Sequence, residues 1–292
     1  MKKLVVESPA KVNLSLEVLG RRADGYHSLR GIMVPVTLED VVTFTPGGRG
    51  FVLHAGQGTP RGEGNLAHRA ATLLMERTGV RHALDLRVLK RIPVAAGLGG
   101  GSSDAAAVLA GLNRMWDLGL SGADLESLGL ELGSDVPFFL RGGICVAEGR
   151  GEELERLSVP VVPEFVLVHP PIRVSAGWAF DHIPEEHPRA TGATNMLRVA
   201  LATGRPELLG PHLVNDLQPG VEAEHPIVRE IRERLLSAGA LGAVMSGSGP
   251  TVLGVSADAE SANRVAAEME DSRWRVYRAS VASSQVEETT SP

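Results

Sequence analysis

Between Pro93 and Asp104 the chain reads PVAAGLGGGSSD, a run built to let a backbone come close to something. Glycines and alanines strip away bulk, so successive N–H groups can close around an oxyanion. A helix starting at Ser102 or Ser103, followed by Asp104 and the Ala105 to Ala107 run, aims the positive end of its dipole at the same point. The chemistry on offer is the grip of a phosphate. There is no GxxxxGK[ST] arrangement, and the sixth position of a GxGxxG reading from Gly97 is Ser102, so a P-loop and a dinucleotide-binding crossover both fall. GSSDA around Ser103 lacks the second glycine of a nucleophile elbow. Taken alone, the loop could still be a flexible turn before a helix.

Lys11 stands out by type. Of the 29 basic residues only four are lysines, at 2, 3, 11 and 90, and Lys11 lies in an apolar, alternating segment. That suits a site where a compact ammonium fits and a planar guanidinium does not, the alternative being a lysine that snorkels from a strand edge. Tyr26 and His27 form a GYH turn in a chain with 4% aromatic residues. SGSGP at residues 246–250 sits between two strand-like runs, as a tight turn or as a backbone clamp.

These residues need elements to hold them. Val12, Leu14, Leu16 and Val18 alternate with Asn13, Ser15 and Glu17, the period of a half-buried strand. Short β-rich runs at 32–36, 41–45 and 51–54, separated by Glu39-Asp40 and Pro46-Gly47-Gly48, predict an antiparallel sheet. Residues 65–78 carry helical spacing with Gly79 as a stop, and Leu84 to Leu89 returns as a strand. Ser121 caps a helix ending at Gly133, which leaves Asp135 at its exit. Pro160 and Pro163 bracket a boundary near residue 160, followed by a buried strand in EFVLVH; 181–195 is polar and irregular. Helix 226–238, strands 241–245, 251–255 and 275–281, and helix 258–269 predict an α+β run with a compact sheet. The last ten residues, 283–292, read as a disordered tail.

At 292 residues, with 43% hydrophobic and 22% charged, the chain is globular by composition and long enough for two lobes. A net charge of −6 provides no basic field for nucleic acid or an anionic membrane, so a bound phosphate must be gripped locally. The apolar start Leu4-Val5-Val6 stops at Glu7, too short for a signal core or a span, and Cys145 alone allows no internal disulfide. A cytoplasmic protein is the expectation, with no nucleic-acid or membrane partner, no structural metal and no indication of oligomeric state.

SPAKVNLSLEVLGRRADGYHSL at residues 8–29, PVAAGLGGGSSDAA and SGSGPTV at 246–252 together resemble, in order and spacing, the three motifs of the small-molecule kinases named for galactokinase, homoserine kinase, mevalonate kinase and phosphomevalonate kinase. The likeness is close over residues 8–37 and 65–150 and looser in the C-terminal half. PAKVNL, RRADGYHSL and GLGGGSSDAA are most similar to the branch whose substrate carries a cytidine diphosphate, homoserine kinase being the alternative. The resemblance implies the two-lobed α+β fold of these kinases: an N-terminal ribosomal-S5-like lobe over 1–160, a C-terminal ferredoxin-like lobe over 161–282, and the active site between them.

It also implies phosphoryl transfer from ATP to an alcohol, with Asp135 as the catalytic aspartate and Lys11 as its partner. ATP would be held by Pro93, Val94, Ala95, Ala96, Gly97, Leu98, Gly99, Gly100, Gly101, Ser102 and Ser103, with Asn65, Leu66 and Lys90 at the adenine. Asn65 could equally be a helix N-cap. His27 would read the cytosine edge and Tyr26 and Phe180 flank the ring, with Trp178 as the alternative to Phe180. Asn13 would meet the diphosphate or the alcohol end. Ser175 lies where relatives carry a Ser-Thr pair, from which Ala176 departs, and Gly247, Ser248 and Gly249 would close over both substrates. Mg²⁺ is expected with ATP; Ser102, Ser103 and Asp104 are its only candidate ligands, and none is assigned. A nucleotide-binding sensor that keeps the fold without transferring phosphate would have lost Lys11 or Asp135, and both are present.

Overall fold

The computed structural model describes residues 2–48, 50–56, 58–184 and 191–282. Its first sheet is built on two long strands, β1 (Leu4–Arg21) and β2 (His27–Pro46), antiparallel over their whole length. β3 (Phe51–Ala55), α1 (Leu66–Thr78), β4 (Leu84–Leu89), α2 (Gly100–Met115), α3 (Gly122–Leu132), α4 (Val136–Arg141), β5 (Cys145–Gly149) and β6 (Glu153–Arg156) complete the first half. The second half runs β7 (Glu164–His169), α5 (Ala176–Asp181), α6 (Ala193–Thr203), β8 (Val214–Asn215), α7 (Gln218–Glu224), α8 (Pro226–Ser237), β9 (Gly242–Met245), β10 (Val252–Ser256), α9 (Ala259–Glu268) and β11 (Arg275–Ala279). The first sheet has the path β3-β4-β2-β1-β8 with β5 and β6 branching from β2; the second is β11-β7-β10-β9, antiparallel throughout. This is the expected α+β arrangement.

Local chemistry explains the helix ends. The Asn65 side chain accepts from Ala67 N and Gly79 closes α1 with φ 72°, while Ser121 and Asp124 form a capping box on α3. Three expectations need correction. The runs 32–36 and 41–45 are one strand, because Asp40 stays in it, fully buried, with its carboxylate taken by the amides of Arg91 and Ile92 and by Lys90. The sheet is mixed, β3 running parallel to β4 and β8 parallel to β1. Helix α2 begins at Gly100, two residues before Ser102, with Gly99 at φ 69° as its cap residue. The irregular segment 181–195 ends in α6, which starts at Ala193; residues 185–190 and the tail 283–292 lie outside the described residues.

Val12 and Leu14 of β1, Ile32 and Val34 of β2, and Phe165, Leu167 and Leu253 from the second sheet share one buried cluster, so the two sheets bind each other through apolar faces. The cut near residue 160 is bridged by two segments of the second half that join the first sheet. β8 adds to the first sheet beside Ser15 and Leu16, and Ala282 N donates to Pro35 O at 2.9 Å. The alternation that buries Val12 and Leu14 turns Lys11 and Asn13 away from that cluster, Lys11 into the lining of a cleft and Asn13 against Lys11. Among the described residues no helix is long and apolar enough to cross a membrane.

Candidate active site

The cleft is a cavity of about 550 Å³ whose floor is the glycine loop. Pro93 through Ser102 line it without a break. α2 then leaves with no side chain capping it, so its first N–H groups, which have no intrahelical carbonyl to reach, are available to a ligand. The loop is held from the other half of the chain. A Cβ on Gly97, at φ 74°, would stand 2.1 Å from Ser246 O and 2.8 Å from Gly249 N, so only glycine lets the two loops touch. Ser246 Oγ donates to Gly97 O at 3.1 Å and accepts from Asn13 N at 3.3 Å. Asn215 donates its amide to Met245 O and Gly247 O at 2.7 and 2.8 Å.

Lys11 reaches into this junction. Its backbone N donates to Leu98 O at 2.9 Å, and its ammonium donates to Asn13 Oδ1 and lies 3.8 Å from Asp135 Oδ2. The lysine side chain is 6% exposed and the aspartate 34%, so the cation is desolvated and the carboxylate faces the open cleft. Asp135 sits in the Gly133-Ser134-Asp135 turn between α3 and α4, and its carboxylate makes no capping bond that would hold it there.

At the outer end, His27 and Phe180 stack on one another with centroids 5.1 Å apart and planes at 11°. Phe180 lines the cleft; Trp178 does not, and stacks on His182 at 3.9 Å, so of the two candidate platforms Phe180 is the one in place. Tyr26 is 58% exposed, with the Arg150 guanidinium 5.1 Å from its ring centre. Ser175 is the exposed N-cap of α5, bonded to Trp178 N at 3.2 Å, and it is Ala176 that lines the cleft.

Asn65, Leu66 and Lys90 meet at one wall, Asn65 as the N-cap of α1. Gly247 and Ser248 face the cavity, whereas Gly249 N is spent on Ser246 O at 2.9 Å within its own turn. Ser103 is turned away: it is fully buried, its hydroxyl bonded to Ser8 at 2.7 Å and its N–H donated to Gly99 O, because α2 starts earlier than expected. Asn13 also stays out of the lining and holds Lys11 instead. Thr59, Pro60, Arg150 and Leu217 line the cleft without any sequence signal; they come from loops and turns far apart in the chain.

Below the wall of Asn65, Leu66 and Lys90, the Lys90 ammonium bridges Asp40 and Asp104, the latter at 2.8 Å. Burial alone would lower the Lys90 ammonium, but the carboxylates of Asp104 and Asp40 outweigh it and raise it. Burial, opposed by Lys90 and reinforced by Asp40, pushes Asp104 from 3.8 up to about 7. Folding therefore binds a proton at Asp104 that the unfolded chain has lost, and stability falls as pH rises through that window. Asp104→Asn should flatten the fall, measured as urea midpoints at about pH 5 and about pH 8. An unchanged slope would place the proton elsewhere.

The same network answers for the metal. Asp104 is tied to Lys90 and Ser103 to Ser8, and among the described residues no three His, Cys, Asp or Glu side chains group to hold an ion. Of the three candidate ligands Ser102 and Asp104 line the cleft, Ser102 with an uncommitted hydroxyl and Asp104 with its carboxylate engaged by Lys90, while Ser103 does not line it.

Comparison with known proteins follows the same lines. Residues 65–143 match the GHMP kinases N terminal domain and residues 197–275 the GHMP kinases C terminal domain. The 4-diphosphocytidyl-2-C-methyl-D-erythritol kinase of Pelotomaculum thermopropionicum is 48% identical over 261 residues, covering 88% of this chain and 91% of that protein. That of Symbiobacterium thermophilum is 45% identical, covering 89% and 93%. A crystal structure of 4-(cytidine 5'-diphospho)-2C-methyl-D-erythritol kinase superposes with a TM-score of 0.80 at 35% identity, over 95% of this chain and 98% of that one. The homoserine kinase of Cytophaga hutchinsonii reaches 0.82 at 20% identity, which speaks for the fold alone. With both halves of the family matched and its relatives this similar over most of their length, the chain belongs to the GHMP kinases and is an ATP-dependent kinase of a small molecule.

Proposed function

We propose that this kinase phosphorylates the 2-hydroxyl of 4-diphosphocytidyl-2-C-methyl-D-erythritol, a step of non-mevalonate isoprenoid precursor synthesis in the cytoplasm. The observation that carries the reading is the Lys11–Asp135 pair, 3.8 Å apart where the glycine loop and the SGSGP loop meet. ATP phosphates lie along Pro93 to Ser102 against the α2 amides, and the adenine goes toward Asn65, Leu66 and Lys90. Asp135 takes the substrate hydroxyl as an acceptor and receives its proton late, because a loose transition state demands little activation of the nucleophile. Lys11, steadied by Asn13, neutralises charge building on the transferred group.

The cytidine end lies against Phe180, with His27 supplying the hydrogen bonds to the base edge and Arg150 and Tyr26 at the mouth. The N-terminal lobe over 1–160 then carries the ATP loop, and the lobe over 161–282 contributes Phe180 and the SGSGP clamp. Homologues bearing the cytidyl name at 45–48% identity favour this substrate over homoserine.

Removing His27 leaves the base without its partner. His27→Ala should lower kcat/KM for the cytidyl substrate by about 1 to 3 kcal/mol and hold the KM for ATP within about twofold. Phe180→Ala should act on the same substrate, since the two rings support each other. A coupled assay with the cytidyl alcohol, homoserine and mevalonate tests the reading: comparable turnover of homoserine would defeat it and leave only the kinase family.

A further inference from the structure

Behind the adenine wall, on the far side of Lys90, Pro93 and Val94, lies a second groove of about 480 Å³. Three arginines reach it from three separate segments: Arg91 after β4, Arg173 after β7, and Arg275 at the start of β11. No carboxylate lines it, in a chain whose 35 acidic residues outnumber its 29 basic ones. Elsewhere some arginines are paired, as in Arg30–Glu148, Arg77–Glu131 and Arg198–Glu155, and others, such as Arg61, Arg69 and Arg81, have no ion pair among the described residues but share no groove with Arg91, Arg173 and Arg275. Arg273, also at this groove, is paired with Glu230 and Asp271. Arg91, Arg173 and Arg275 have no ion pair among the described residues, and all three are exposed.

The groove has a built interior. Its back is His169, directly across the β7–β11 ladder from Arg275 and bonded through Nδ1 to Thr251 at 3.1 Å. Burial and the Arg275 charge push this imidazole down to about 4, so near neutrality it offers a neutral ring as donor or acceptor and the guanidiniums carry the charge. Arginine forks grip phosphate oxygens in pairs, and three of them facing one groove match the charge of a diphosphate better than that of a single phosphate. The volume also exceeds what one phosphate would fill.

We propose that Arg91, Arg173 and Arg275 form a second anion site, separate from the glycine loop, that takes a small ligand bearing a diphosphate group. The same chemistry is offered by free pyrophosphate and by an organic diphosphate ester. The test is calorimetric titration of the full chain with its cleft saturated by a non-hydrolysable ATP analogue, so that the glycine loop is occupied. Inorganic pyrophosphate and methyl diphosphate are the two probes. One probe molecule should still bind per chain, and Arg173→Ala with Arg275→Ala should weaken it by about tenfold or more. Tighter binding of methyl diphosphate would assign the site to an ester, and tighter or equal binding of pyrophosphate to the free anion. kcat and the KM for ATP should stay near wild type in that variant, since neither residue lines the cleft. Arg91→Gln is the independent check, because only the Arg91 backbone is tied to Asp40. Absence of binding once the ATP cleft is filled, or undiminished affinity in the arginine variants, would overturn the proposal.

Discussion

Asp135→Asn should reduce kcat by about 10² or more while ATP binding changes by no more than a few-fold. Asparagine keeps the shape of the side chain and removes its charge. The turn that carries it should survive, since the Asp135 carboxylate caps no helix and α4 begins with Val136-Pro137 in either case. What disappears is the acceptor proposed for the substrate proton and the counter-charge 3.8 Å from Lys11. Lys11→Met should give a loss of similar size through the other partner, and it also strips Asn13 of its bond. Rapid-quench turnover together with binding of an ATP analogue separates the two quantities. Near-normal kcat in Asp135→Asn would remove Asp135 from the chemistry.

Gly97→Val should abolish ATP binding, or raise its KM by more than about tenfold, and the reason is geometric. At φ 74° any side chain is strained, and a branched one most of all. A Cβ there would also overlap Ser246 O at 2.1 Å and Gly249 N at 2.8 Å, both backbone atoms that cannot rotate aside. The glycine loop and the SGSGP loop would be driven apart, taking the cradle and the Lys11 junction with them. Gly100→Val is milder by the same measure: its Cβ would meet the Ile92 side chain at 2.9 Å, at a φ that does not require glycine. Circular dichroism of both variants separates a lost loop contact from a lost fold. Unchanged ATP affinity in a folded Gly97→Val protein would contradict the cradle.

Much of this architecture is written locally in the chain. Strand β1 follows from the alternation of Val12, Leu14, Leu16 and Val18; α1 and α3 follow from their caps at Asn65 and Ser121; the glycine loop and the SGSGP turn follow from residues that alone allow close backbone approach. Each such signal lies within about one turn or one strand pair, where neighbours in sequence are neighbours in space. Composition likewise excluded a general polyanion surface, although not a local basic groove.

Only the tertiary structure decided what depends on distant segments meeting. Asn13 N and Ser246 Oγ are 233 positions apart, and nothing in either neighbourhood announces the other. Asp40 looked like a strand break and is instead the buried partner of Lys90, because backbone amides 51 and 52 positions later satisfy its carboxylate. Ser103 belongs by pattern to the phosphate loop, yet an α2 that starts at Gly100 turns its hydroxyl onto Ser8. Phe180 and Trp178 are two residues apart on one short helix, so sequence names Phe180 but leaves Trp178 open as its alternative, and rotation about the helix axis separates them: Phe180 lines the cleft and stacks on His27, and Trp178 stacks on His182 outside it. Periodicity fixes which residues share a face; what that face meets is set by the register of packed sheets, and that information is spread over the whole chain.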